Sequence, residues 1–142
     1  MSDPLYKKEL LRLAATATAS GRLAVTCHTG TAHNPACGDK VVVDVALEDG
    51  RIAALAHHTF ACVLTQASAA ILGAEAVGMT RDELERLRGA VIAMLEGGGP
   101  PDAPFDVFEV FDGVADHKGR HTCVLLPIEA ALAALPEASS PR

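Results

Sequence analysis

Residues Lys40 to Thr59 read KVVVDVALEDGRIAALAHHT. Val41, Val43, Val45 and Leu47 fall on one side of a period-two pattern, with Asp44 and Glu48 on the other. That alternation is the signature of a half-buried β-strand. Asp49-Gly50 follows, a dipeptide that readily takes the left-handed backbone of a tight hairpin. Arg51 to Thr59 then returns as the partner strand. Upstream, Thr29 to Asp39 (TGTAHNPACGD) has no apolar period and reads as a turn-rich loop, preceded by a candidate strand over Arg22 to Thr29. The three segments predict a small antiparallel three-stranded sheet.

The rest of the chain predicts helices, so the fold class is α+β. Asp3 to Thr18 reads as a first helix, with Asp3 as N-cap and Pro4 at the first helical position. Cys62 to Leu72 is alanine-rich and poor in β-branched residues. Thr80 and Glu83 form a capping box ahead of Leu84, Leu87, Val91, Met94 and Leu95. A Gly/Pro loop spans Glu96 to Pro104, and Phe105 to Phe111 is a short apolar patch. Val124 to Leu135 predicts the last helix. Residues 1–135 are expected to form one domain, and the Pro/Ser-rich residues 136–142 a flexible tail.

A chain of 142 residues can bury a core without a staple, so metal or disulfide is not needed merely to fold. Its net charge of −6 argues against nucleic acid as a partner, because phosphate contacts need a cationic face. No stretch approaches the length of a membrane span. Glu9 and Arg12 interrupt the signal-like run after Lys7-Lys8, so the cytoplasm is the expected compartment. Cysteines there are reduced thiols.

There are four, Cys27, Cys37, Cys62 and Cys123, with no C-x-x-C pair. Cys37 stands in a loop stiffened by Pro35 and reversed by Gly38, which suits a site better than a core. Asp39 is near enough in sequence to bind the same ion. Cys62 and Cys123 stand near expected helix starts, where a thiolate is favoured, yet either also reads as a small core residue. Cys27 reads as structural. Three thiolates and a carboxylate are an acceptable four-coordinate set for zinc. A Cys–His hydrolase built from Cys62 or Cys123 with His58 or His121 is a rival without an oxyanion motif to support it.

Asn34-Pro35-Ala36-Cys37-Gly38-Asp39 resembles the N-P-x-C-G-D signature of the U-type iron–sulfur cluster assembly proteins, the IscU/SufU family with its NifU N-terminal-like domain. The order of parts is similar too: Leu5-Tyr6 in a first helix, three strands, Cys62 in a T-F-x-C setting before Gln66-Ala67-Ser68-Ala69, and Cys123 ahead of an Ala/Leu helix. The resemblance runs from about Leu5 to Leu135. Thr122 stands where the IscU branch carries His. Arg120 lies three residues before Cys123, and Glu96 to Asp102 resembles the insertion of the SufU branch. The family usually has Gly where this chain has Ala61, a change tolerated at negative φ.

The resemblance implies a SufE/IscU-like α+β fold with helices on one face of the sheet. It implies zinc held by Cys37, Asp39, Cys62 and Cys123, or alternatively iron or a [2Fe–2S] cluster on a scaffold. It also implies persulfide transfer, a sulfurtransferase role beside a SufS-like cysteine desulfurase, with delivery to downstream iron–sulfur assembly proteins. Cys37 is the expected acceptor, since a loop moves more cheaply than a helix start. Arg120 is expected to border the metal and stabilise a displaced thiolate. A zinc-stabilised interaction module without transfer chemistry is the remaining alternative.

Overall fold

The computed structural model describes residues 8–24, 27–35 and 38–136. Cys37, the first residues of the expected N-terminal helix and residues 137–142 of the expected tail lie outside the described residues. The elements run α1 (Lys8–Thr16), β1 (His28–Asn34), β2 (Asp39–Glu48), β3 (Arg51–Phe60), α2 (Val63–Glu75), α3 (Arg81–Leu95), a 3-10 helix (Phe105–Val114) and α4 (His121–Ala134). The sheet is antiparallel in the order β1-β2-β3. Val41, Val43 and Val45 of its central strand are fully buried on the face where α4 crosses β1 and β2 and α2 meets β3. Expected class and architecture agree with this arrangement.

The first strand does not sit where the sequence placed it. Arg22 to Thr29 is the expected stretch, but β1 occupies His28–Asn34, sharing only His28 and Thr29 with it and otherwise running through the expected loop. Its inward positions are Gly30 and Ala32, and α4 explains why. A Cβ on Gly30 would overlap the backbone of α4 at Ala130 O and Ala134 N. The strand therefore carries no large apolar residue to betray its period.

Arg22 serves instead as a counter-ion on the opposite face. Its guanidinium donates from Nε to Asp44 Oδ2 (2.6 Å) and from Nη2 to Oδ1 (3.0 Å). Leu23 N–H and Thr29 Oγ1 complete the shell at 3.1 and 2.7 Å. Asp44 is only 1% exposed, so it needs these donors. They hold its carboxyl at about 2, with the Arg22 hydrogen bond the chief cause and burial opposing it.

The remaining elements follow local rules. Thr80 and Glu83 make the expected capping box. Arg81 Nη1 donates to the carbonyls of Leu132 and Leu135, closing the far end of α4. Phe105, Phe108, Phe111 and Val114 are buried at three-residue spacing, the period of a 3-10 turn, which turns the expected apolar patch into a helix. Pro127 lies within α4, which begins at His121 rather than Val124. Ala61 is not among the described residues with positive φ, as its tolerance requires. Among the described residues no helix is long and apolar enough to cross a membrane.

Two measurements test this packing. Gly30→Ala should destabilise the fold by about 1–3 kcal/mol in urea unfolding, because α4 must back away from β1; an unchanged midpoint would contradict that contact. Asp44 has a depressed folded pKa, so its contribution is complete above the ordinary carboxylate value near 3.8 and is lost as pH falls through about 2. Asp44→Asn should be less stable at neutral pH by about 1–3 kcal/mol, and the gap from wild type should shrink between pH 4 and 2. A gap independent of pH would contradict the charge-based account.

Candidate metal centre

Asn34 and Asp39 are the last pair of the β1–β2 ladder. The turn between them is closed by the Gly38 N–H donating to Asn34 O at 2.8 Å. Gly38 has φ +76°, a backbone that L side chains resist. Asp39 opens β2 and is buried on the same side as the valines. Lys40 pairs with Phe60 across β2–β3, so the end of β3 lies beside the start of β2. Two residues beyond Phe60, Cys62 is the N-cap of α2 in extended backbone.

Cys123 reaches the same place from above the sheet. It is the third residue of α4 and is buried. Ser68 of α2 donates its hydroxyl to Val124 O at 2.6 Å, fastening the two helices beside that cysteine. As a result a carboxylate oxygen of Asp39 and the sulfurs of Cys62 and Cys123 all lie within 4.8 Å of one another. Three donors that close, from three elements, span the distances of a single ion's coordination shell. Two soft sulfurs and one hard oxygen suit zinc and iron alike.

The local field favours thiolate. Both cysteines stand at helix N-termini, the positive ends of α2 and α4. Cys62 lies well below the ordinary thiol range. The chief cause is a hydrogen bond from Cys123. Burial opposes it, the Thr65 N–H and hydroxyl add to it, and the charge of Asp39 pushes the other way. Thr65, a fully buried residue that the sequence reading passed over, has its Oγ1 3.2 Å from Asp39 Oδ2 and 3.6 Å from Cys62 Sγ. Its sequence signal was its place three residues after Cys62, one helical turn on.

Of the residues expected at the site, Asp39, Cys62 and Cys123 are brought together, and Cys37 lies outside the described residues. Arg120 is the N-cap residue of α4, exposed and three residues from Cys123. Cys27 is half-buried ahead of β1 and does not join the group. His57, His58 and His121 have partners of their own. His57 is buried, which lowers its pKa; its Nε2–H donates to Thr18 O at 2.9 Å, and Nδ1 accepts from Thr59. His121 Nε2 donates to Ala115 O at 3.1 Å, and His58 rests against the Phe60 ring. Neither His58 nor His121 belongs to the close group of Asp39, Cys62 and Cys123.

Comparison with known proteins points the same way. Residues 5–124 match the family model described as the NifU-like N terminal domain. The iron-sulfur cluster assembly scaffold proteins IscU 1 and IscU 2 of Archaeoglobus fulgidus are each 31% identical over 71 residues, 50% of this chain and 46% of each relative. The chain thus matches about half the length of these curated relatives. The crystal structure of a nitrogen-fixing NifU-like protein (N-terminal) from Brucella abortus gives a TM-score of 0.87 at 34% identity, covering 93% of this chain and 92% of that one. An iron–sulfur cluster assembly scaffold protein for the SUF system from Fervidobacterium islandicum shares the fold, with a TM-score of 0.85 at 20% identity over 96% of this chain and 100% of that one.

The geometry predicts which thiols matter for metal. Cys62→Ser and Cys123→Ser should each weaken zinc binding at least tenfold in competition with a chromophoric chelator, because each removes a soft donor. Cys27→Ser should bind as wild type does. Full affinity in both of the first two variants would dissolve the centre.

Proposed function

The chain belongs to the NifU-like N-terminal domain family, and from that premise we propose that it is an iron–sulfur cluster assembly protein that accepts sulfur from a cysteine desulfurase. The observation that carries this reading is the convergence of Asp39, Cys62 and Cys123 within 4.8 Å. Cys37, two residues before Asp39, is the fourth ligand in this reading. A zinc ion held by these four residues would keep the thiols deprotonated and protected from oxidation.

Sulfur transfer then needs one nucleophile, and Cys37 fills that role. Its thiolate attacks the outer sulfur of the desulfurase persulfide. The donor S–S bond breaks, a new S–S bond forms on Cys37, and the desulfurase cysteine leaves as thiolate. Cys62 and Cys123 sit on helix starts pinned by packing, whereas Cys37 falls in sequence between the end of β1 and the start of β2. Arg120, at the head of α4, supplies a fixed positive charge near a centre rich in thiolate. The partner is a SufS-like enzyme of the cytoplasm, and downstream assembly proteins take the sulfur onward.

The names of the Archaeoglobus relatives favour a second reading. In it the same four residues hold a nascent [2Fe–2S] cluster as cargo. Metal analysis after anaerobic purification separates the two, since a zinc protein is colourless and a cluster absorbs visible light.

The activity test uses the cognate desulfurase. Wild-type protein should raise its turnover severalfold, and Cys37→Ala should abolish the gain while the fold persists. Arg120→Ala should keep metal and fold yet stimulate poorly, with Arg120→Lys recovering part of the gain. No stimulation by the wild-type protein would reject the transfer role in favour of the scaffold.

A further inference from the structure

We propose that Thr65 is a positioning residue of the metal centre, its hydroxyl fixing Asp39 by one oxygen while facing the sulfur of Cys62. The inference rests on reading the centre as a metal site and names a residue that sets its geometry.

Thr65 lies in the first turn of α2 and is 0% exposed. A buried hydroxyl costs stability unless it is bonded, and valine would fill the same volume without that cost. A hydroxyl in a helix commonly turns back to a carbonyl of the preceding turn. Here it reaches across to Asp39 Oδ2 on β2, at 3.2 Å. Its β-branched side chain has few allowed rotamers, so the direction of the hydroxyl is set by the helix.

The hydroxyl has one proton to give and two lone pairs. A carboxylate can only accept, so the proton goes to Asp39. The same oxygen lies 3.6 Å from Cys62 Sγ, so the hydroxyl is also within hydrogen-bond reach of that sulfur. Thus one side chain ties together two ligands that belong to different elements. Held by Oδ2, the carboxylate is restrained to offer a single oxygen, the form that a four-coordinate ion needs. Partners of this kind commonly change metal affinity by 10–100-fold when removed.

The test uses the full-length protein with zinc and cobalt(II) as probes. Zinc affinity is read by chelator competition, and ligand geometry by the cobalt ligand-field spectrum. Thr65→Val should bind zinc roughly 10–100-fold more weakly and shift the cobalt bands, with little change in Tm. Thr65→Ser keeps the hydroxyl, so it should retain affinity and spectrum while its lost methyl lowers Tm. If the valine variant does not fold, Thr65→Ser against Thr65→Ala gives the same comparison, since those two differ in the hydroxyl alone. Wild-type affinity and spectrum in Thr65→Val would overturn the proposal, as would equal loss in the valine and serine variants. Failure of the wild-type protein to bind either ion would instead overturn the metal reading beneath it.

Discussion

The register between β2 and β3 is the constraint on which the centre depends. Lys40 opposite Phe60 sets Asp39 beside the exit of β3, and Cys62 follows two residues later. A slip of one residue would move the strands by about 3.3 Å and turn Val41, Val43 and Val45 to the wrong face. Burial of Val41, Val43 and Val45 forbids that slip. The hydrophobic pattern that makes the sheet therefore also sets the separation of two members of the candidate centre. The third arrives with α4, whose place is fixed by β1 beneath it and by Ser68 at its side.

Two buried aspartates on β2 show how the same residue type is put to different uses. Asp44 faces away from the helices, where a guanidinium neutralises it and three kinds of donor surround it. That carboxylate is structural, and its charge is already matched. Asp39 faces the helices and meets the neutral hydroxyl of Thr65. A neutral donor orients a carboxylate without cancelling its charge, which leaves the group able to meet a cation. Helix N-termini on two sides offset part of the repulsion among anionic ligands.

Much of this was legible in the sequence because it rests on short-range signals. The alternating valines, the Asp49-Gly50 turn and the Thr80–Glu83 capping box each state their structure within a few residues. The expected ligand set came from the resemblance of a hexapeptide and the cysteines in order with it; of that set Asp39, Cys62 and Cys123 lie close together, and Cys37 is outside the described residues. β1 was misplaced because its inward residues are small, and they are small because a helix from the other end of the chain rests there. Asp44 fell on the polar side of the alternation with nothing to mark its burial, because its partner, Arg22, precedes it by a whole strand and turn. Thr65 went unseen for the same reason: its meaning lies in Asp39, which is distant in sequence.

The seat of α4 on Gly30 gives the molecule an uneven stiffness. Where a helix and a strand normally meet, a layer of side chains lies between them and yields under load. Here the backbones themselves approach closely, with no room for a side chain between strand and helix at Gly30. Asn34 at the end of that strand pairs with Asp39 at the opening of β2, so the close seat of the helix on Gly30 also bears on where the carboxylate of the candidate centre stands.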